Sequence, residues 1–193
     1  MRPLAVLIAC CALAASLLAG CGGSSGDDGD VPTPAEARAA LRGAPAPLAA
    51  LHAQASELLP GGQAAFDRRL AQLRGHPVVV NAWGSWCKPC KEEFPVFQRM
   101  AARYGRSVAF LGLDVTDPSD DARAWLRDHW VPYPSYVDSD EKIARRIGAT
   151  VGLPTTVFFD RDGERATIKQ GPFKDDQALE QYLQRYLGAV PSS

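Results

Sequence analysis

Cys87 and Cys90 stand three positions apart in Trp86-Cys87-Lys88-Pro89-Cys90, close enough for one thiol to reach the other and close a small ring. A thiolate that attacks, backed by a second thiol that resolves, is a redox couple. A purely structural bridge fits less well, because joining residues so near in sequence closes almost no loop and stabilises little. Zinc would need four ligands, and no second Cys pair or His pair completes the set. Attachment of c-type haem requires His directly after the second cysteine, where this chain has Lys91.

The surrounding pattern says how the pair is held. Pro77-Val78-Val79-Val80-Asn81-Ala82-Trp83 is an apolar, β-branched run closed by Gly84-Ser85, which predicts a buried strand ending in a turn. From Lys91 to Tyr104, Phe94, Phe97, Met100, Ala101 and Tyr104 recur at helical spacing. The dithiol therefore sits where a strand hands over to a helix. Free N–H groups and the helix dipole favour an anion there, so the Cys87 thiol is expected below the free value of about 8.5, near 7 or lower.

Cys90 lies one turn further in, surrounded by Val80, Trp83 and Phe94 in this reading, and desolvation should raise its pKa. Glu93 follows three residues later on the same helix face, and helical side chains lean towards the N-terminus. It is the nearest base for the Cys90 proton; the alternative is a solvated glutamate like Glu92. Trp86 is expected to shield Cys87 and offer substrate a flat apolar contact. Lys88 would favour the thiolate by ~0.3 to 1 kcal/mol, or ~5 to 20 mV, too little to set the direction of electron flow among potentials spread over about 150 mV. His52, His76 and His129 show no pairing and receive no role.

These residues resemble the thioredoxin superfamily, and within it the TlpA/ResA-like membrane-anchored thiol-disulfide oxidoreductases. The likeness is carried by Val79-Val80-Asn81-Ala82-Trp83, the dithiol, Glu93-Phe94-Pro95 and Gly152-Leu153-Pro154-Thr155-Thr156, and it runs from about Gly62 to Leu187. It implies an α/β, thioredoxin-like fold: a central mixed β-sheet flanked by helices. It also implies that Pro154 is cis and lies against the disulfide, turning the backbone at Leu153 towards an extended substrate chain; a trans proline entering a strand is the alternative. Where thioredoxin has a buried Asp this chain has Asn81, and TlpA/ResA-like chains pair that Asn with a Glu at the place of Glu93. Pro95 matches a helix-bending proline of the family.

The activity implied is protein-disulfide reduction, with apocytochrome c as a candidate substrate, and no cofactor or metal is called for. Disulfide formation in exported proteins is the reverse alternative. A thiol peroxidase would carry Pro-x-x-x-Thr-x-x-Cys, but Ala82, Trp83 and Ser85 occupy that approach to Cys87. A copper-delivery module would want a longer cysteine spacing and a downstream His.

The remainder of the chain gives the domain plan. Residues 1–20 carry Arg2, an apolar stretch from Leu4 to Ala19 and then Gly20, the layout of a secretory signal too short for a comfortable membrane span. Leu18-Ala19-Gly20-Cys21 resembles a bacterial lipobox, with Cys21 the lipidated residue; an ordinary signal with an incidental cysteine is the alternative. Of five cysteines, Cys10 and Cys11 leave with the signal and Cys21 carries lipid, so only Cys87 and Cys90 remain as thiols. Residues 21–33 form a flexible tether, whose stretch of Gly, Ser and Asp from Gly22 to Pro32 spans roughly 18 Å.

Residues 34–61 read as a helical extension where related chains usually begin with a hairpin. A helix from Thr33-Pro34 to Gly43 is followed by a second one through Leu48, Leu51, Leu58 and Leu59, and packing on the domain is favoured over contact with a partner. Residues 62–188 form the thioredoxin-like domain. Its expected elements are a helix from Gln63 to Arg74, a parallel strand at Val108–Leu113, a helix from Asp117-Pro118 through Trp130, and a short helix capped by Ser139. A Thr156–Phe159 and Ala166–Lys169 hairpin and a closing helix from Asp175 or Asp176 complete it. Residues 189–193 are a tail.

With 21 Lys and Arg against 22 Asp and Glu, nothing in the charge balance points to nucleic acid. The expected partners are cysteine-containing exported proteins, a membrane thiol-disulfide electron donor or acceptor, and the membrane itself through the lipid anchor. A monomer at the extracytoplasmic face of a bacterial membrane is expected.

Overall fold

The computed structural model describes residues 29–191. In chain order the elements are α1 (Pro34–Ala40), α2 (Ala46–His52), β1 (Leu58–Leu59), α3 (Gly62–Gln72), β2 (Val78–Trp83), α4 (Lys88–Tyr104) and β3 (Ala109–Val115). There follow α5 (Ser119–Asp128), β4 (Ser135–Asp138), α6 (Lys142–Ile147), β5 (Thr155–Phe159), β6 (Arg165–Gln170) and α7 (Asp176–Leu187). The strands form one mixed sheet in the order β1-β4-β3-β2-β5-β6. β2, β3 and β4 run parallel, joined through α4 and α5, while β5 and β6 are antiparallel. This is the thioredoxin-like α/β fold that the order of sequence signals implies.

Alternation along the central strands divides the core in two. Val79, Trp83, Phe110 and Phe158 point to the side covered by α4 and α7, with Phe94, Phe97, Leu179 and Leu183. Val78, Val80, Ala82, Leu111, Leu113 and Val157 point to the other side, against Phe66 of α3 and Ile143 and Ile147 of α6. β2 is buried on both faces along its whole length, which explains why its sequence is a continuous apolar run rather than an alternating one.

The extension lies on the domain. Thr33 and Glu36 form a capping box at the start of α1. Ala37, Leu48 and Leu51 are fully buried, and α1 meets α4.

Several sequence expectations change. The second helix stops at His52 instead of continuing through Leu59. Ser56 takes a positive φ of 58°, and the chain straightens so that Leu58 and Leu59 pair in parallel with Ser135 and Tyr136. Flanking bonds complete the zipper: Ser56 N–H donates to Tyr133 O at 3.0 Å, and Ser135 N–H donates to Glu57 O at 2.8 Å. β4 has no counterpart among the expected strands. α5 ends at Asp128 rather than reaching Trp130, whose ring instead packs under the Arg38 guanidinium at 5.2 Å. Asp138, not Ser139, holds the start of α6: its carboxylate accepts from Ile143 N–H at 2.9 Å and Ala144 N–H at 2.7 Å.

Candidate redox site

β2 ends at Trp83, the chain turns through Gly84-Ser85-Trp86, and α4 begins at Lys88 with Cys87 as its N-cap. Cys87 and Cys90 are joined as a disulfide, and Cys87 Sγ accepts the Cys90 N–H at 3.2 Å. A sulfur that accepts an N–H of the first turn, at the positive end of the helix dipole, is in the arrangement that stabilises a thiolate once the bridge is reduced. Both cysteines are nearly enclosed, at 3 % and 1 % exposure. The small chemistry-bearing surface is therefore framed by its neighbours rather than by the sulfurs themselves.

Trp86 is the most exposed large ring in the area, at 59 %. Its indole folds over Gly84, where a Cβ would meet Nε1 at 2.8 Å, so only glycine lets the ring lie there. The Lys88 side chain is exposed to solvent and pairs with Glu92 at 3.9 Å. Lys91 lies over the Trp125 ring at 4.7 Å.

Beneath the dithiol, Glu93 is completely buried. Its Oε1 accepts from Asn81 Nδ2 at 2.7 Å and its Oε2 from the Phe173 N–H at 3.0 Å. The solvated alternative is thereby excluded. Desolvation pushes its carboxyl up to about 7, and the bonds from Phe173 and Asn81, with the charge of Lys169, restrain the rise. A carboxyl that is half ionised near neutrality can both accept and return a proton. Asn81 also donates to Thr156 Oγ1 at 3.3 Å, which ties β2 to β5. One expected neighbour moves: Val80 belongs to the opposite side of the sheet, and Val79 takes its place beside Cys90, Trp83 and Phe94. Side-chain alternation from Asn81 could have settled this in the sequence.

The Leu153-Pro154 peptide is cis. Ala82 pairs with Thr155, so Pro154 precedes the strand that lies along β2 just where β2 gives way to the dithiol turn. Pro154 O accepts from the Gly171 N–H at 2.9 Å. Leu153 packs on the cluster that contains both cysteines. Trp86 and Leu153 line an open groove of about 180 Å³, together with Val115, Ala144 and Ala149 and the polar Thr116, Glu141 and Thr150.

Three participants had no role in the sequence reading. Phe173 reaches Glu93 only through the loop after β6. Lys169 ties that loop by donating to the carbonyls of Gly171 and Pro172. Asp117, expected only to start a helix, accepts from Ser85 N–H and from Ser85 Oγ at 2.8 Å. Phe173 and Asp117 lie 80 and 32 positions from the groups they hold, so no local pattern announces them. Cys21 lies outside the described residues, and among the described residues no helix is long and apolar enough to cross a membrane.

A dithiol at the start of a helix, a buried carboxyl under it and a cis-proline beside it, on this sheet, define a protein of the thioredoxin superfamily. Residues 45–166 match the AhpC/TSA family, and the chain belongs to that family. The thiol-disulfide oxidoreductase ResA of Bacillus thuringiensis subsp. konkukian is 28% identical over 117 residues, 60% of this chain and 66% of that protein. The thiol:disulfide interchange protein DsbE of Pseudomonas fluorescens biotype C is 34% identical over 100 residues, 50% of this chain and 54% of that protein. The chain thus spans just under two thirds of the first relative and about half of the second. A crystal structure of a candidate thiol:disulfide interchange protein DsbE from Chlorobium tepidum superposes with a TM-score of 0.56 at 28% identity, covering 62% of this chain and 85% of that one.

Proposed function

We propose that this protein is a thiol-disulfide oxidoreductase that reduces disulfides in exported proteins at the extracytoplasmic face of a bacterial membrane, held there by lipid on Cys21. The observation that carries the chemistry is the fully buried Glu93, bonded to Asn81 and the Phe173 N–H below a dithiol at a helix start. In the reduced protein the Cys87 thiolate attacks one sulfur of a substrate disulfide. A bond forms between Cys87 and substrate, and the other substrate sulfur leaves as a thiolate. Cys90 then gives its proton to Glu93 and attacks Cys87 Sγ, which closes the Cys87–Cys90 bridge and expels the second substrate thiolate. Two electrons have passed from the dithiol to the substrate, and a membrane thiol donor must return them.

Leu153, ahead of Pro154, and Trp86 line the groove through which an extended cysteine-bearing segment would approach. The names of the ResA and DsbE relatives support the reaction class, and the leader pattern supports the location. An apocytochrome c disulfide, reduced to the thiols that haem attachment needs, is a substrate consistent with both.

A redox titration of the purified protein, followed by reduction of a peptide disulfide, tests this reading. The reduced protein is expected to transfer two electrons per chain through a Cys87 adduct. Peroxide consumption by Cys87 as fast as disulfide exchange would replace it with a peroxidase, and efficient oxidation of peptide dithiols with poor reduction of disulfides would reverse its direction.

A further inference from the structure

Asp114 sits at the C-terminal end of β3, 1 % exposed, and neither of its buried carboxyl oxygens has a hydrogen-bond donor. The flanking strands offer Trp83 on β2 and Val137 on β4, neither of them charged. The Trp83 indole N–H is already committed to Ser135 Oγ at 3.2 Å. The charged groups that face Asp114 are the Asp117 carboxylate and, from α5, the Arg123 guanidinium, which pairs with Asp120 at 3.5 Å. A buried carboxylate with no donor beside a second carboxylate is costly; a carboxylic acid whose O–H points at that second carboxylate is not. Asp117 in turn receives both the N–H and the hydroxyl of Ser85, two residues before Cys87.

We propose that Asp117 is a positioning residue for the reactive dithiol, clamping the Gly84-Ser85 turn that delivers Cys87, and that a protonated Asp114 holds the clamp by donating to it. Loss of the Asp114 proton would set two carboxylates against each other and loosen Ser85, so the dithiol should respond to the ionisation of a group outside the redox couple. Burial, and after it the facing Asp117 charge, push Asp114 up to about 8, which puts that event just above neutrality and apart from Glu93.

The kinetic half of the test rests on Cys87 being the attacking thiol, as proposed above; the spectroscopic half does not. Full-length protein carrying carbon-13 at the aspartate Cγ leaves Glu93 silent. One aspartate resonance is expected to titrate near pH 8 and to vanish in Asp114→Asn. Alkylation of reduced Cys87 by iodoacetamide, followed across the same pH range, should show the thiolate titration and a further inflection of roughly twofold or more that coincides with the aspartate. Asp114→Asn, whose amide still donates to Asp117 but cannot ionise, should lose only that inflection.

If every aspartate titrates in the ordinary carboxylate range, the proposal is wrong whatever Cys87 does. A high-titrating Asp114 with identical alkylation profiles in wild type and Asp114→Asn removes the positioning role. A Cys87 no more reactive than a free cysteine at any pH sinks the oxidoreductase reading instead, while the aspartate resonance still reports on the pair.

Discussion

At the residue scale the order of events rests on Cys87 attacking and Cys90 resolving. Cys90→Ser should accumulate a mixed disulfide through Cys87, detectable by mass spectrometry under non-reducing conditions; accumulation in Cys87→Ser instead would reverse the roles. Glu93→Gln should leave the first attack nearly intact and slow the resolving step at neutral pH, with recovery as pH rises and hydroxide takes the Cys90 proton. Single-turnover exchange with a peptide across pH reads this, and a variant equal to the parent at every pH would reduce Glu93 to a structural role. The same residue sets a stability trend. Its folded pKa is raised from 4.5 to about 7, so the native state holds the proton more tightly. Stability conferred by the neutral form is therefore full below about pH 4.5 and falls until about pH 7. The fall is on the order of 3 kcal/mol at about 1.4 kcal/mol per pH unit, and Glu93→Gln should flatten that part of the melting-temperature profile. That Glu93 shares a helix face with Cys90 was legible from spacing alone. Its enclosure was not, because the Phe173 amide that completes it is 80 positions away.

At the scale of elements, legibility followed length and locality. β2, the dithiol turn and α4 could be read because a six-residue apolar, β-branched run closed by Gly84-Ser85 and a seventeen-residue amphipathic helix are each recognisable locally. β1 and β4, two and four residues long, are too short to show alternation. Leu58 and Leu59 also continue the helical spacing of Leu48 and Leu51, so only pairing with Ser135 and Tyr136, far away in the chain, decides their state. Residue type could not single out the Asp138 cap either, since Ser139 and Asp138 cap equally well by type and only the folded chain aims Asp138 at the Ile143 and Ala144 amides. Packing of the extension has a measurable consequence. Leu51 is fully buried between α2 and the domain, and Leu51→Ala should cost roughly 2 to 5 kcal/mol in unfolding free energy. The redox potential should stay unchanged, because Leu51 belongs to the half of the core facing away from the cysteines. A potential that moves with the melting temperature would mean that the two halves are coupled through the sheet.

At the scale of the molecule, chemistry and attachment are assigned to separate regions of the chain. Cys21→Ala should release an active protein into the soluble fraction, measured by fractionation and by peptide-disulfide reduction; membrane retention would shift the attachment to the Ala/Leu-rich helices. β1 has a different significance at this scale. A sheet presents unpaired N–H and C=O groups along its last strand, and such a row is a template for another chain. β6 ends one side with Arg165 and Lys169, charges that oppose pairing. On the other side Leu58 and Leu59, with the backbone bonds of Ser56 and Glu57, occupy the row that β4 would otherwise present. In a chain beginning at residue 29, replacing Leu58 and Leu59 together by proline should unpair β1 while α1 and α2 stay in place, so that the protein keeps its dithiol chemistry yet self-associates, seen as a rising light-scattering mass with concentration, while the parent stays monodisperse. The extension then serves as a guard against aggregation, a task for which two residues of strand suffice.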